Sequence, residues 1–341
     1  MQRTVVYRLF VAWFLVFVLP VSSCSADATP DPADVSAGPG ARGDGPERVS
    51  VFYLTNRKFH PNKPVAESYN GERGEVHFGR CEVEFTPIPL INHVAPKIPF
   101  YIQSETRAIS LTEQVDPPVF WEQFRAGAES TSTGAVVLFV HGYNYGFERT
   151  CHMAAEMQRY LQDKATILVF SWPSNGLPSD YVRDQADIEW SVPLLANTIG
   201  RLGILVGRGN VRVVAHSLGA VIAYDVCYDF FAEITRFQQK IKPSQPDASP
   251  PEVLALDLEL SNLFTMGSPL AIWSLTHDPA KQWYRDRPVA VRSGGVWYNF
   301  YSSWDPIALP LAPIYPDLAQ AGVLRDFRVW SGANAHSGYW N

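Results

Sequence analysis

The sequence predicts an α/β fold, a mostly parallel central sheet with helices on both faces, and three observations carry that prediction. From about residue 135 strand-like and helix-like stretches alternate, the pattern of parallel strands joined by crossover helices. Ala135-Val-Val-Leu-Phe-Val140 is apolar throughout, as a strand covered on both faces must be. The stretch Val213-Val-Ala-His-Ser-Leu-Gly-Ala220 passes from an apolar strand into an apolar helix across a serine set between small residues.

Taken in order, the chain opens with Arg3 and Arg8 and an apolar run from Leu9 to Leu19. That run has the length of a signal-peptide core and is too short to span a bilayer. It ends in Val21-Ser-Ser-Cys24, small residues before a cysteine that resemble a bacterial lipobox. The resemblance implies a signal peptide over residues 1–24 and a lipid on Cys24 as the first mature residue. Such a protein is expected in the bacterial cell envelope, and the serine that follows allows an outer-membrane destination. Residues 25–48 are rich in Ala, Asp, Pro, Gly and Ser. They offer too little apolar surface to offset ordering and read as a flexible tether. One domain is expected from 49 to 341.

That domain begins with a β-rich run, Val49 to Thr55, followed by an alternating strand from Glu75 to Phe85. After Ala135–Val140 the expected elements are a helix over 147–161, a strand over 166–170 and a helix from about 186 to 206. Strand 211–215, a helix from Ser217 to about Phe231 and strands 262–266, 295–301 and 326–330 complete the series. A Pro-containing insert from about Ile241 to Pro251 interrupts it.

Composition limits the function classes. Hydrophobic residues make up 46% of the 341 residues, charged residues 18%, and the formal net charge is −6. This is a globular balance with a substantial core. No basic track interleaved with aromatics is present, so nucleic acid is not an expected partner. With Cys24 assigned to lipid, Cys81, Cys151 and Cys227 remain. They allow at most one disulfide, whose pairing stays open, and Cys227 reads as a buried thiol in an apolar helix. No cysteine or histidine pair has the spacing of zinc ligands, and no cofactor is expected.

Ala215-His-Ser-Leu-Gly219 fits the nucleophile elbow G-x-S-x-G with Ala215 in the first small position. A serine on a sharp strand-to-helix turn needs small residues two positions before and after it, because larger ones collide with the turn. Ser217 is therefore the candidate nucleophile. The N–H of Leu218, at a helix N-terminus, is one candidate donor to a developing oxyanion. His141-Gly142-Tyr143-Asn144 follows an earlier strand, where a His-Gly loop supplies the second donor, here assigned to the N–H of Tyr143. His141 itself reads as a structural support of that loop, and His216 as pointing away from the nucleophile.

The order Ser, acid, His asks for two more residues downstream. Asp305, in Trp304-Asp-Pro306, follows a late strand, with Asp278 and Asp286 as weaker rivals. His336 follows the last strand, while His277, the other downstream histidine, precedes the favoured acid. A serine hydroxyl is a poor nucleophile at neutral pH, so His336 must take its proton, and Asp305 must fix the imidazole tautomer.

Phe52-Tyr-Leu-Thr-Asn-Arg57, Gly79-Arg-Cys81, Val140-His-Gly-Tyr-Asn144, Ser171-Trp-Pro-Ser174, Ala215-His-Ser-Leu-Gly219 and Gly267-Ser-Pro269 resemble, as a set, the bacterial esterase/lipase-like α/β-hydrolases. The resemblance covers nearly all of the chain after the tether. It implies the α/β-hydrolase fold, serine hydrolase activity and the triad Ser217, Asp305 and His336, but no physiological substrate. A carboxylesterase is expected, acting on a small-molecule ester; Trp172, Tyr143 and Trp304 are candidate walls of an acyl pocket, though each also reads as an ordinary packed aromatic. The absence of a long amphipathic lid favours short or medium acyl chains. A thioesterase or amidase would use the same residues, and a membrane-tethered binding or envelope protein that lost the chemistry is the alternative from another class. The sequence leaves the oligomeric state unknown.

Overall fold

A computed structural model describes residues 45–88, 105–175, 180–207, 209–224, 226, 260–272, 291–331, 336 and 339. Among the described residues there are nine strands: β1 (Glu47–Phe59), β2 (Tyr69–Pro87), β3 (Glu105–Gln114), β4 (Ala135–Val140), β5 (Ala165–Ser171), β6 (Val211–His216), β7 (Leu260–Met266), β8 (Val291–Tyr301) and β9 (Leu324–Arg328). Among them run helices α1 (Pro117–Glu129), α2 (Phe147–Leu161) and α3 (Tyr181–Val206), a helix α4 described over 218–224, and α5 (Pro316–Gln320).

The strands form one sheet in the order β3-β2-β1-β5-β4-β6-β7-β8-β9. β2 is antiparallel to both of its neighbours, and every other pairing is parallel. The chain leaves β4 for β5 on one side and later returns to β6 on the other. The loops after β4 and β6 therefore diverge at adjacent carboxyl ends, where the Val140↔Ala215 pairing brings the strands side by side. Such a switch point opens a crevice at the strand ends. Topology alone thus places the His141–Asn144 loop beside Ser217.

The two-residue period of the strands divides the core. Val136, Leu138 and Val140 face one side with Leu168, Phe170 and Val213, against Phe120, Phe124, Leu195, Ile199 and the buried residues of α4. Val137 and Phe139 face the other with Ile167 and Val169, against Phe147, Cys151, Ala154 and Ala155 of α2. Helices thus cover both faces, and each fully buried Val, Leu or Phe contributes about 1.5–3 kcal/mol.

Differences from the expected elements have local causes. β1 begins at Glu47, so Glu47 and Arg48 belong to the sheet rather than to the tether. There Glu47 pairs with Phe85 and Arg48 Nε donates to Glu84 at 2.9 Å. Neither β3 nor α1 is among the expected elements. β3 is an edge strand with weak alternation, ETRAISLTEQ, and α1 is a short helix entered through Pro117 and Pro118. The third helix starts at Tyr181, earlier than expected, and carries Pro193 within it. Cys81 and Cys151 are both buried free thiols, and Cys81 is hydrogen-bonded to Cys151. The signal peptide with Cys24, tether residues 25–44, the insert at 241–251, Cys227, His277, Asp278 and Asp286 lie outside the described residues. Among the described residues no helix is long and apolar enough to cross a membrane.

Candidate active site

β6 ends at His216, and Ser217 turns the chain into α4 with φ of 52°. This left-handed conformation is costly for a non-glycine residue and is a mark of functional turns. It persists because the neighbours leave room for it and hold it. Ser217 N–H donates to Met266 O at 2.9 Å, and Ala220 N–H donates to Ser217 O at 3.0 Å. A β-carbon on Gly219 would lie 2.4 Å from His141 O and 2.6 Å from Val140 O. The glycine is thus what lets the tip of α4 close against the end of β4.

Ser217 Oγ lies 2.7 Å from His336 Nε2, and His336 Nδ1 lies 2.9 Å from Asp305 Oδ2. A carboxylate acceptor at Nδ1 assigns the proton to that nitrogen, leaving the Nε2 lone pair toward the serine. The three residues come from the ends of β6 and β8 and from beyond β9, so the sheet alone brings them together. The geometry gathers all three predicted residues into one hydrogen-bonded line.

Asp305 is 2% exposed. Burial pushes its carboxyl up. His336, the Ile307 N–H at 3.1 Å and the Tyr339 hydroxyl at 2.9 Å more than offset this and hold it below the usual carboxylate range. Tyr339 was not foreseen from the sequence. Its hydroxyl donates to Asp305 and accepts the Ser302 N–H at 3.0 Å. Burial, followed by the charge of Asp305, pushes its own ionisation far up, so it remains a donor.

His216 also has a place in the site. Its Nε2–H donates to His336 O at 3.1 Å, gripping the backbone of the candidate base from beneath. Burial, and then the proximity of His336, lowers its pKa to about 3, so it is neutral at physiological pH.

The loop after β4 is built as a support. His141 is fully buried and neutral, its pKa pushed well down by burial and then by Arg57. Its Nδ1 donates to Gly142 O at 2.8 Å, and its ring stacks on Trp172 with centroids 4.7 Å apart. Trp172 Nε1–H in turn donates to His141 O at 2.8 Å. Trp172 is thus fully buried beneath the loop, so it is a packed aromatic and does not serve as a wall of an acyl pocket. Tyr143 is half-buried, edge-on to Tyr181 at 5.3 Å. Trp304 is 63% exposed, edge-on to Trp330 at 5.7 Å.

A buried ion system, also unforeseen, lies under the same loop. Arg57 Nη2 donates to Tyr145 O at 2.7 Å and meets His141 Nε2 at 3.3 Å. Arg57 Nη1 donates to Ser174 O at 2.7 Å and Asn70 O at 3.3 Å, and Nε donates to Ser171 Oγ at 2.9 Å. Opposite it, Asp184 accepts from the Asn144 and Asn175 N–H groups at 3.2 Å each and from the Ser174 hydroxyl. An arginine at the end of a β-rich run is the signal that could have indicated a buried charge. Among the described residues no group of three or more His, Cys, Asp or Glu is arranged to hold a metal ion.

A family match agrees with this architecture. Residues 120–250 match a family described as an alpha/beta hydrolase of unknown function (DUF900). That span holds the His141 loop and Ser217 but ends before Asp305. An uncharacterized protein of Nostoc sp. is 37% identical over 67 residues, which is 20% of this chain and 17% of that protein. The match thus spans about a sixth of the length of that curated relative. Among solved structures, esterase PE8 is 13% identical with a TM-score of 0.34, over 62% of this chain and 92% of that one. A carboxylesterase from Mesorhizobium loti is 12% identical with a TM-score of 0.30, over 60% of this chain and 82% of that one. The chain has the α/β-hydrolase fold, with a mostly parallel central sheet and helices on both faces.

Proposed function

We propose that this protein is a serine hydrolase, a carboxylesterase that cleaves short or medium acyl esters through an acyl-serine intermediate. The observation that carries the reading is the line Ser217–His336–Asp305, 2.7 and 2.9 Å between successive members, on a turn whose serine has φ of 52°. In this reading His336 Nε2 takes the Ser217 proton as Oγ bonds to the ester carbon. The carbonyl electron pair moves onto oxygen, and the N–H groups of Leu218 and Tyr143 receive the oxyanion. Collapse of this intermediate expels the alcohol, which takes the proton from His336. Water, deprotonated by the same imidazole, then releases the acid and restores the serine. Asp305, held ionised by its three donors, stabilises the imidazolium throughout.

The exposed Trp304 beside the acid and the apolar Ile307 and Leu309 that follow it support an apolar acyl substrate. We further propose that Cys24 carries a lipid that tethers the domain to the bacterial cell envelope, on the strength of the apolar run and small residues before it. Fluorophosphonate labelling followed by hydrolysis of aryl esters of graded acyl length tests the enzymatic reading. Wild-type protein labels and turns over, whereas S217A does neither. Folded wild-type protein that resists labelling, or labelling unchanged in S217A, overturns it.

A further inference from the structure

We infer that Arg57 is a positioning residue for the reaction: with Asp184 it fixes the loop that presents the Tyr143 N–H to the oxyanion. The inference rests on the serine-hydrolase reading above and deepens it. Arg57 is fully buried, and a buried guanidinium is expensive unless its donors are met. Here its donors reach four carbonyl or hydroxyl oxygens on three segments and the ring of His141. Planarity makes this arrangement specific to arginine, because an ammonium cannot present the same fork.

The contacts bracket Tyr143. On its N-terminal side Arg57 meets His141 Nε2. On its C-terminal side Arg57 takes Tyr145 O, Ser174 Oγ takes the Tyr145 N–H at 3.1 Å, and Asp184 takes the Asn144 N–H. Asn144 sits at φ of 63°, a conformation these bonds hold in place. Between them, Gly142 abuts the nucleophile, its Cβ position 2.6 Å from Ser217 Cβ. The residue carrying the oxyanion N–H is therefore clamped on both sides by one buried cation and one carboxylate, joined through Ser174. Burial lowers the Arg57 pKa to about 9, and the charge of Asp184 opposes that drop, so the cation persists at neutral pH.

Buried charges of this kind contribute little to stability against apolar packing. Their contribution here is geometric, and a loop displaced by about 1 Å costs on the order of a hundredfold in rate. The test compares wild type, R57K and S174A. Active sites are counted by fluorophosphonate titration, kcat and KM are measured on one aryl ester, and affinity is measured for a boronic acid that forms a tetrahedral adduct on serine. R57K is expected to lose about a hundredfold in kcat per titrated site, with KM within about threefold and boronate affinity falling in step with kcat/KM. S174A, which removes only the hydroxyl that links Asp184 to the Tyr145 N–H and keeps the Arg57 bond to Ser174 O, is expected to lose about tenfold in the same pattern.

A merely structural arginine gives a different result: fewer titratable sites, each with wild-type kcat. That result overturns the inference, as does wild-type boronate affinity in R57K. Where R57K does not fold, S174A decides alone, and unchanged kcat per site in S174A overturns the inference. Wild-type protein that fails to label or turn over overturns the hydrolase reading itself, which separates the two failures.

Discussion

The backbone of Gly142 rests against the side chain of Ser217, so closely that a β-carbon at 142 would lie 2.6 Å from Ser217 Cβ and 2.6 Å from His216 Nδ1. The loop after β4 and the turn after β6 therefore share one space, and the absence of a side chain at 142 sets the distance between them.

G142A is the most economical test of that contact. Relief of the overlap must move either the loop or the serine, and overpacking of this kind costs about 1–3 kcal/mol. The activity loss should exceed the stability loss, at about a hundredfold or more in kcat/KM, because the displaced groups are the nucleophile and its oxyanion donor. Urea unfolding and steady-state kinetics on the same preparation check both halves. A variant with wild-type kinetics would remove the close approach from the mechanism.

The acid and its support should separate in magnitude. D305N and H336A are each expected to lower kcat by about 10³–10⁴-fold, since without them the imidazole loses its tautomer or the serine loses its base. Y339F removes one of three donors to Asp305 and leaves the Ser302 N–H without its acceptor. It should cost about tenfold in kcat with KM unchanged, a single hydrogen bond to a charged group being about 1.5–3 kcal/mol and partly replaceable by water. Equal losses in Y339F and D305N would mean that the tyrosine, rather than the histidine contact, governs the carboxylate.

The proposed anchor is tested apart from the chemistry. In a bacterial host, full-length protein should fractionate with membranes and C24A should not, while aryl-ester hydrolysis by the extracted proteins stays equal. A mature N-terminus other than Cys24, read by mass spectrometry, would remove the lipoprotein assignment.

How much of this was legible in the sequence varies with how local the signal is. β4, β5 and β6 are runs of Val, Leu, Ile and Phe, and their burial on both faces follows from that composition alone. Ser217 was legible because its small neighbours, its strand and its helix lie within a few residues of it. The chain order of the acid and base then singled out Asp305 and His336. The support beneath the site was not legible, because it is assembled across the fold. Arg57 and Asp184 stand 127 positions apart and meet the same loop only once β1, β4 and α3 have packed. Packing and pocket wall stayed undivided for Trp172 for a related reason. The loop after β5 does lie at the carboxyl ends of the strands, but its indole turns back under His141, and neither partner is near it in sequence. Tyr339 is three residues from His336, yet its role depends on where the end of β8 brings Asp305.

The buried and half-buried histidines make stability depend on pH in a direction that can be stated. His216 titrates at about 3 and His152 at about 4, each lowered first by burial, and His141 is held well down by the same cause. Unfolded, each returns to the ordinary value of 6.5, so in this window the unfolded chain binds more protons than the native one. Stability is therefore complete above pH 6.5 and falls as the pH drops from there toward 4, as the unfolded chain takes up protons that the fold excludes. The limiting slope for these three histidines is about 4 kcal/mol per pH unit, about 1.4 for each proton, and His77, also lowered by burial, adds to it in the same direction. The depressed Asp305 acts in a separate window, below its unfolded value of 3.8, and burial of Asp184 works against the histidines at the acidic end. Urea unfolding of the form lacking residues 1–24 at pH 8, 6 and 5 should show a midpoint that is level and then falls. H152Q, on α2, should reduce the slope by about one proton's share, a quarter to a third of the whole. A midpoint constant from pH 8 to 5 would mean that these imidazoles reach solvent in the folded protein.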